Sequence, residues 1–424
     1  MVPIEELERF NPWWTKGGVP PGWTQEYRRK LYSSVEPCTQ RRQILLIYGL
    51  RRVGKTTLMM QVIEKLLKTV NPRHILYFSF DDAAFSVKDV LESYQKVILH
   101  SSIEDSREPL YLFFDEIQKK DSWENTIKTY YDLYPDIRFF LSGSASAGLR
   151  KRSTESLAGR ILDFTLPPLS FEEFLELNGK KTGIIKKDPD LHKREILPLF
   201  YRYLKYGQFP ELARETDEVF AKKYLQNTII ERVIYRDLPE EFGMKDIELL
   251  RTIVALIGKN PGMIVRYSEI AKNLGRDQRT VANYFEYLEY GLLIRFVYNY
   301  RGGALASMRK MKKVYFNSPN LVFALNHTLD RVLPFMLENL VACETSAKFF
   351  YRNGFEVDFV QETGDGLVAI EVKQNENEVK QVRKFREKFR DTTRDGYLLT
   401  MEGEEGEKDG VRIIPAWKFI LGTG

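Results

Sequence analysis

Two cysteines, Cys38 and Cys343, are all that 424 residues offer, and they form no paired spacing. That scarcity excludes a disulfide framework and a cysteine-built zinc site, and it points to a reduced, cytoplasmic setting. Long apolar runs are missing too. No stretch approaches the ~18 residues a membrane helix needs, so no membrane partner is expected. The opening Met1-Val2-Pro3-Ile4-Glu5-Glu6 carries acid and no apolar segment, so no secretory signal is expected. Neither sign of charge dominates: 64 Lys and Arg stand against 59 Asp and Glu, a net of +5, which permits nucleic acid as a partner without requiring it. What is present is globular material, with 43% hydrophobic residues and a length that suggests about two to four domains.

Residues 1–40 read as an irregular arm rich in Trp, Pro and Gly, whose tryptophans pack against the neighbouring domain. From Gln43 the pattern alternates. Apolar runs at Gln43–Tyr48, Ile75–Phe80, Leu110–Phe114 and Phe139–Leu141 predict strands. Amphipathic stretches from Thr56 to Lys68, from Ser86 onward and from Asp121 to Tyr134 predict helices, with Ser86 and Asp121 as caps. Strands alternating with helices imply a parallel sheet with right-handed crossovers. After Pro167-Pro168 the chain turns helical to about residue 255, broken at Gly207 and Pro210. A further unit covers 262–300, and the remainder returns to mixed strands and helices.

Gly49-Leu50-Arg51-Arg52-Val53-Gly54-Lys55-Thr56 follows an apolar run and opens an amphipathic one, which is the setting a phosphate-binding loop requires. Backbone N–H groups of Gly49 to Thr57, among them those of Arg51, Arg52 and Val53, can turn toward phosphate oxygens, and the following helix adds its positive end. Lys55 can reach the β- and γ-phosphates of ATP, and the Thr56 hydroxyl can hold Mg²⁺. Leu110 to Phe114 delivers Asp115 to a strand end, where it can bind Mg²⁺ through water, and Glu116 can orient the attacking water. Ser142 or Ser144, after the next strand, is placed to sense the γ-phosphate.

Further along, Ser268 to Gly275 and a second helix from Asp277 have helix-turn-helix spacing. Val281, Phe285 and Leu288 face inward, leaving Arg276, Arg279, Thr280 and Asn283 for phosphates or base edges; packing between domains is the other reading. Basic residues cluster at 309–313 and 380–390. On a strand, residues two apart share a face, so Glu371 and Lys373 point together, and a hairpin would bring Asp358 alongside. Two carboxylates can bind Mg²⁺, and Lys373 can steady developing negative charge.

The segments Gly49–Thr57, Phe113-Phe114-Asp115-Glu116-Ile117-Gln118, Leu141-Ser142-Gly143-Ser144 and Leu157-Ala158-Gly159-Arg160 resemble the archaeal and bacterial AAA+-like ATPases, in the branch with a double arginine in the P-loop. Pro168 to Phe174 resembles that branch's entry to a helical lid. Tyr206-Gly207-Gln208-Phe209-Pro210 is similar to its Gly-Gly-Phe-Pro motif, with Gln208 as a departure. The resemblance makes Arg160 a candidate arginine finger, in cis or in trans, and implies a homo-oligomer. It also implies a winged helix and a C-terminal domain of PD-(D/E)XK nuclease type, with Glu338 as a metal ligand beside Asp358 and Glu371.

The expected architecture is α/β: an arm (1–40), a parallel-sheet P-loop core (41–165), a helical lid (166–245), a winged helix (246–325) and a small restriction-endonuclease-like domain (326–424). The expected function is ATP hydrolysis with Mg²⁺ in a protein that acts on DNA, for genome maintenance or defence, with or without cleavage. The alternative is an ATP-dependent switch whose C-terminal part docks a protein partner.

Overall fold

Runs of aliphatic and aromatic residues bounded by turns become buried parallel strands. The computed structural model describes residues 1–81, 84–106, 108–144, 157–302, 311–326, 328–374 and 378–423. They divide into two units, Met1–Pro167 and Pro168–Gly424. Among the described residues no helix is long and apolar enough to cross a membrane.

The first unit holds a five-stranded parallel sheet of β1 (Ile44–Tyr48), β2 (Ile75–Ser79), β3 (Leu110–Asp115), β4 (Ile137–Gly143) and β5 (Ile161–Thr165). The strand order is β2-β3-β4-β1-β5. β1, β3 and almost all of β4 are buried, the continuous apolar pattern of strands covered on both faces. One consequence matters for the site: β4 lies between the strand that precedes the glycine loop and the strand that carries Asp115, so Ser142 ends up between them.

Two local expectations change. The arm is not wholly irregular, since Ile4–Phe10 forms a helix with only Leu7 buried. Beyond it Asn11 pairs with β2 through its side chain, donating to the Tyr77 carbonyl at 2.8 Å and accepting the Tyr77 N–H at 2.6 Å. Trp13 and Trp14 both donate to the Ile75 carbonyl, so the arm packs, as expected, on the neighbouring core, at the outer edge of its sheet. Asp121 is not a cap. The helix starts at Trp123, and Ser122 before it has φ +54°, a left-handed turn that makes no side-chain cap bond. Ser86 does cap Val87–Tyr94, in a reciprocal box with Asp89.

The second unit begins with helices Phe171–Leu177, Pro189–Arg202, Glu218–Leu225 and Ile247–Lys259. Ser170 and Glu173 cap the first reciprocally. Gln208 is buried. Its amide oxygen accepts from Ser318, and its N–H donates to the Asn320 side chain at 2.8 Å, so this departure from a glycine ties the helical part to the segment before helix Pro319–Leu325.

Helices Tyr267–Leu274 and Gln278–Tyr290 follow, and then an eight-stranded sheet. Its strands are β6 (Ile294–Asn299), β7 (Lys312–Phe316), β8 (Phe349–Arg352), β9 (Glu356–Thr363), β10 (Gly366–Lys373), β11 (Thr393–Thr400), β12 (Gly406–Lys408) and β13 (Val411–Pro415). The order is β12-β13-β11-β10-β9-β8-β6-β7. The β6–β7 hairpin joins this sheet through parallel pairing of Tyr298 with Phe349 and Asn299 with Phe350. β7 and β8, which lie on either side of the boundary expected at 325, are thus strands of one sheet.

Candidate functional site

The loop after β1 is shaped by sterics. A β-carbon at Gly49 would run into the carbonyl oxygen of Leu166, whose own N–H donates to Tyr48 at 2.8 Å. Arg52 takes φ +66° and Gly54 φ +99°, and Gly54 is the N-cap of the helix Lys55–Leu66. Only glycine accepts such a φ without cost. Gly49→Ala should therefore lose about 1–3 kcal/mol of stability in denaturant titration, the range for forced overpacking, together with its nucleotide binding. An unchanged unfolding midpoint would contradict this reading of the loop.

Lys55 is only 6% exposed, and its ammonium donates to the carbonyls of Gly49 and Leu50, each at 3.0 Å. The Thr56 hydroxyl donates to Asp115 Oδ2 at 2.6 Å, and so does the Tyr77 hydroxyl at 3.0 Å. Asp115 Oδ1 accepts from Ser142 and from the Glu116 N–H. Burial, and after it the charge of Glu116, push the Asp115 carboxyl above its ordinary range.

Glu116 sits at φ +53°. Its Oε2 accepts from the Gln118 amide at 2.6 Å and from Ser144 at 2.9 Å. Burial works to raise its pKa, but Lys55, the Gln118 bond, Arg51 and Ser144 outweigh burial and hold it below the ordinary carboxylate value. Two neighbouring acids with environments that push them in opposite directions are a mark of chemically divided labour.

The two serine candidates separate. Ser142 is fully buried and donates its hydroxyl to Asp115. Ser144 is the one beside Glu116. Arg160 stands at the other end of the sheet: its carbonyl accepts the N–H of Ile44, the first residue of β1, while the glycine loop follows the last. Its guanidinium makes a two-pronged ion pair with Asp132, at 2.9 and 3.1 Å. A finger acting in cis does not fit that position. Gln118, Tyr77 and Arg29 were not singled out by residue pattern. Arg29, from the arm, is buried and donates to the carbonyls of Val53 at 2.6 Å and Pro167 at 2.8 Å, bracing the loop from outside.

In the second unit the hairpin of β9 and β10 brings Asp358 beside Glu371. Asp358 Oδ2 accepts the Val372 N–H at 2.9 Å, and Glu371 Oε2 accepts the Asp358 N–H at 3.3 Å. Lys373 lies 3.1 Å from Glu371 Oε1. Burial foremost, then the charges of Glu338 and Glu371, raise the Asp358 carboxyl well above its ordinary range. Glu338, on the helix Leu329–Glu344, accepts from the Tyr315 hydroxyl at 2.5 Å.

The metal set expected of Glu338, Asp358 and Glu371 does not assemble: among the described residues no three His, Cys, Asp or Glu side chains could hold a metal ion. The Lys313 ammonium lies near two of them, 3.3 Å from Glu338 and 3.6 Å from Asp358.

Only the end of the basic run 309–313 is described. Arg309 and Lys310 lie outside the described residues, Lys312 sits 3.6 Å over the Phe296 ring, and Lys313 is buried.

Residues 41–175 match the model of an AAA domain family, residues 197–331 that of a domain of unknown function (DUF8612), and residues 335–419 that of a second (DUF4143). An uncharacterized protein of Methanocaldococcus jannaschii is 28% identical, over 89% of this chain and 88% of its own length. One from Haemophilus influenzae is 24% identical over 89% and 94%. Among solved structures, the Saccharomyces cerevisiae Hsp104–ADP complex is similar with 18% identity and a TM-score of 0.33, over 66% of this chain and 40% of that one. The first unit is an α/β parallel-sheet P-loop core that resembles the AAA ATPases.

Proposed function

We propose that the protein hydrolyses ATP in its first unit and applies the cycle to DNA through its second. The hydrolytic part rests on one arrangement: Glu116, held by Gln118 and Ser144 below its ordinary pKa, beside the joined Thr56–Asp115 pair and the Lys55 ammonium. Thr56 and Asp115 would hold Mg²⁺, and the residues suit it, a hydroxyl and a carboxylate already bonded to each other at the head of a helix. Bound there, Mg²⁺ neutralises phosphate charge. Lys55 binds the β- and γ-phosphates, loop N–H groups orient them, and Glu116 takes a proton from water.

The DNA part rests on the helix Gln278–Tyr290. Its Val281, Phe285 and Leu288 are buried, Asp277 caps it, and Arg279 is exposed near its start. Tyr267–Leu274 before it and the β6–β7 hairpin after it support the reading of a winged helix, in which such a helix enters the major groove. Arg276 is less available, being paired with Asp246 at 2.9 Å. Binding to duplex DNA should fall with salt by about 0.9 log unit per phosphate contact per log unit of salt. Arg279→Ala should lower both the affinity and that slope by about one contact in fluorescence anisotropy. Binding that ignores salt, or an Arg279→Ala protein with the parent slope, would favour the reading of a switch that docks a protein.

A further inference from the structure

The carboxylates of the C-terminal hairpin already have a cation, and the chain supplies it. Lys313 leaves β7 and reaches across to Glu356 Oε1 at 2.7 Å, Glu338 Oε1 at 3.3 Å and Asp358 Oδ1 at 3.6 Å. It is 5% exposed. The acids it joins come from the helix Leu329–Glu344 and from β9, so the ammonium ties elements distant in sequence.

The donor set leaves little for a metal. Asp358 spends Oδ1 on Lys313 and Oδ2 on the Val372 N–H. Glu371 spends Oε1 on Lys373 and Oε2 on the Asp358 N–H. Glu338 Oε1 takes both Lys313 and the Tyr315 hydroxyl, and Glu356 Oε2 faces Arg352 at 3.4 Å. A hard divalent ion needs about six oxygens with lone pairs aimed at one point, at roughly 2.0–2.6 Å. Here the space among Glu338, Glu356 and Asp358 is taken by the Lys313 ammonium, and the Val372 and Asp358 N–H groups claim a further share of the carboxylate oxygens. The residues as arranged therefore do not fit a divalent metal, although the Asp-Glu-x-Lys pattern that suggests one is intact.

We propose that Lys313 is the resident cation of this site: its ammonium stands where a divalent ion would bind, the two exclude one another, and neutralising Lys313 uncovers a metal site at Asp358. The chemical class of the latent ligand is a hard divalent cation, Mg²⁺ or Mn²⁺.

The test titrates Mn²⁺ into the nucleotide-free full-length chain and reads free ion by electron paramagnetic resonance. The parent should show no uptake that depends on Asp358. Lys313→Met should gain about one equivalent, lost again in Lys313→Met/Asp358→Asn. Its Asp358-dependent affinity should exceed the parent's by roughly 10²-fold or more, the factor for deleting one positive charge within ~4 Å at an effective dielectric near 20.

An equivalent of Mn²⁺ bound by the parent and lost in Asp358→Asn would overturn the proposal. So would a folded Lys313→Met protein that binds none. If Lys313→Met does not fold, adding Glu338→Gln removes one of the stranded charges, and the same outcomes are read on that double variant.

Discussion

Glu116→Gln protein will hold ATP at close to the parent affinity and turn it over about 10²–10⁴-fold more slowly, the range for removing a positioned general base. The substitution is nearly isosteric, and the groups proposed to bind phosphate and Mg²⁺ do not involve the Glu116 side chain. Lys55 is anchored on the loop, and Thr56 on Asp115. The Asp115 contact with residue 116 is to its backbone N–H, which Gln keeps. What changes is the acceptor. With Lys55 and Arg51 nearby, the Glu116 carboxylate stays charged well into the acid range, so turnover in the parent should be flat across neutral pH and fall only below the ordinary carboxylate pKa. A glutamine amide accepts a hydrogen bond but not a proton. Single-turnover ATP hydrolysis and equilibrium nucleotide binding, measured on the same preparation, separate the two effects. Parent-like turnover would remove Glu116 from the chemistry, while loss of binding would make it part of the nucleotide pocket.

What the sequence made legible is what short spacing controls. The glycine loop, its strand and its helix are contiguous, so Gly49 to Thr56 could be read in one pass, and Asp115 and Glu116 follow their strand directly. The period of two along β10 put Glu371 and Lys373 on one face, and the hairpin then delivered Asp358. Where residue pattern could not place a side chain, the deciding partner was remote. A run of lysines at 309–313 looks like a solvated basic patch until the fold turns Lys313 toward acids on another strand and a helix. Arg160 follows a suggestive Gly159, but its place is set by the pairing of β5 with β1, which puts it at the far end of the strands from the loop. Ser142 and Ser144 lie two apart, and only the insertion of β4 between β1 and β3 decides that the first braces Asp115 while the second meets Glu116. Arg29 had no local signal at all, since the Val53 carbonyl it braces is reached by folding the arm back.

Lys55→Met should abolish useful nucleotide binding while leaving the fold in place. In the nucleotide-free chain the Lys55 ammonium is already employed, donating at 3.0 Å to two carbonyls of its own loop. Binding ATP exchanges these neutral acceptors for charged phosphate oxygens. The gain is thus a difference: hydrogen bonds to charged groups contribute about 1.5–3 kcal/mol each, against about 0.5–1.5 for ordinary ones. For two bonds the difference is about 0–5 kcal/mol, and the loss of unit charge beside the triphosphate in a buried setting moves the result toward the upper half, near a 10²–10³-fold weaker dissociation constant. Methionine keeps the length and apolar stem, so the helix Lys55–Leu66 retains its packing through Leu58, Val62 and Ile63, which are buried. Loss of the two loop bonds should cost about 1–3 kcal/mol of stability at most. Isothermal titration with a nonhydrolysable ATP analogue and Mg²⁺ reads the affinity, and thermal unfolding without nucleotide reads the fold. Removing the positive charge also leaves Glu116 with burial less opposed, so its pKa should rise. Residual hydrolysis in Lys55→Met at saturating ATP should accordingly lose its acid limb at a higher pH than the parent. An affinity within a few-fold of the parent would show that the loop N–H groups, and not Lys55, carry the phosphate interaction.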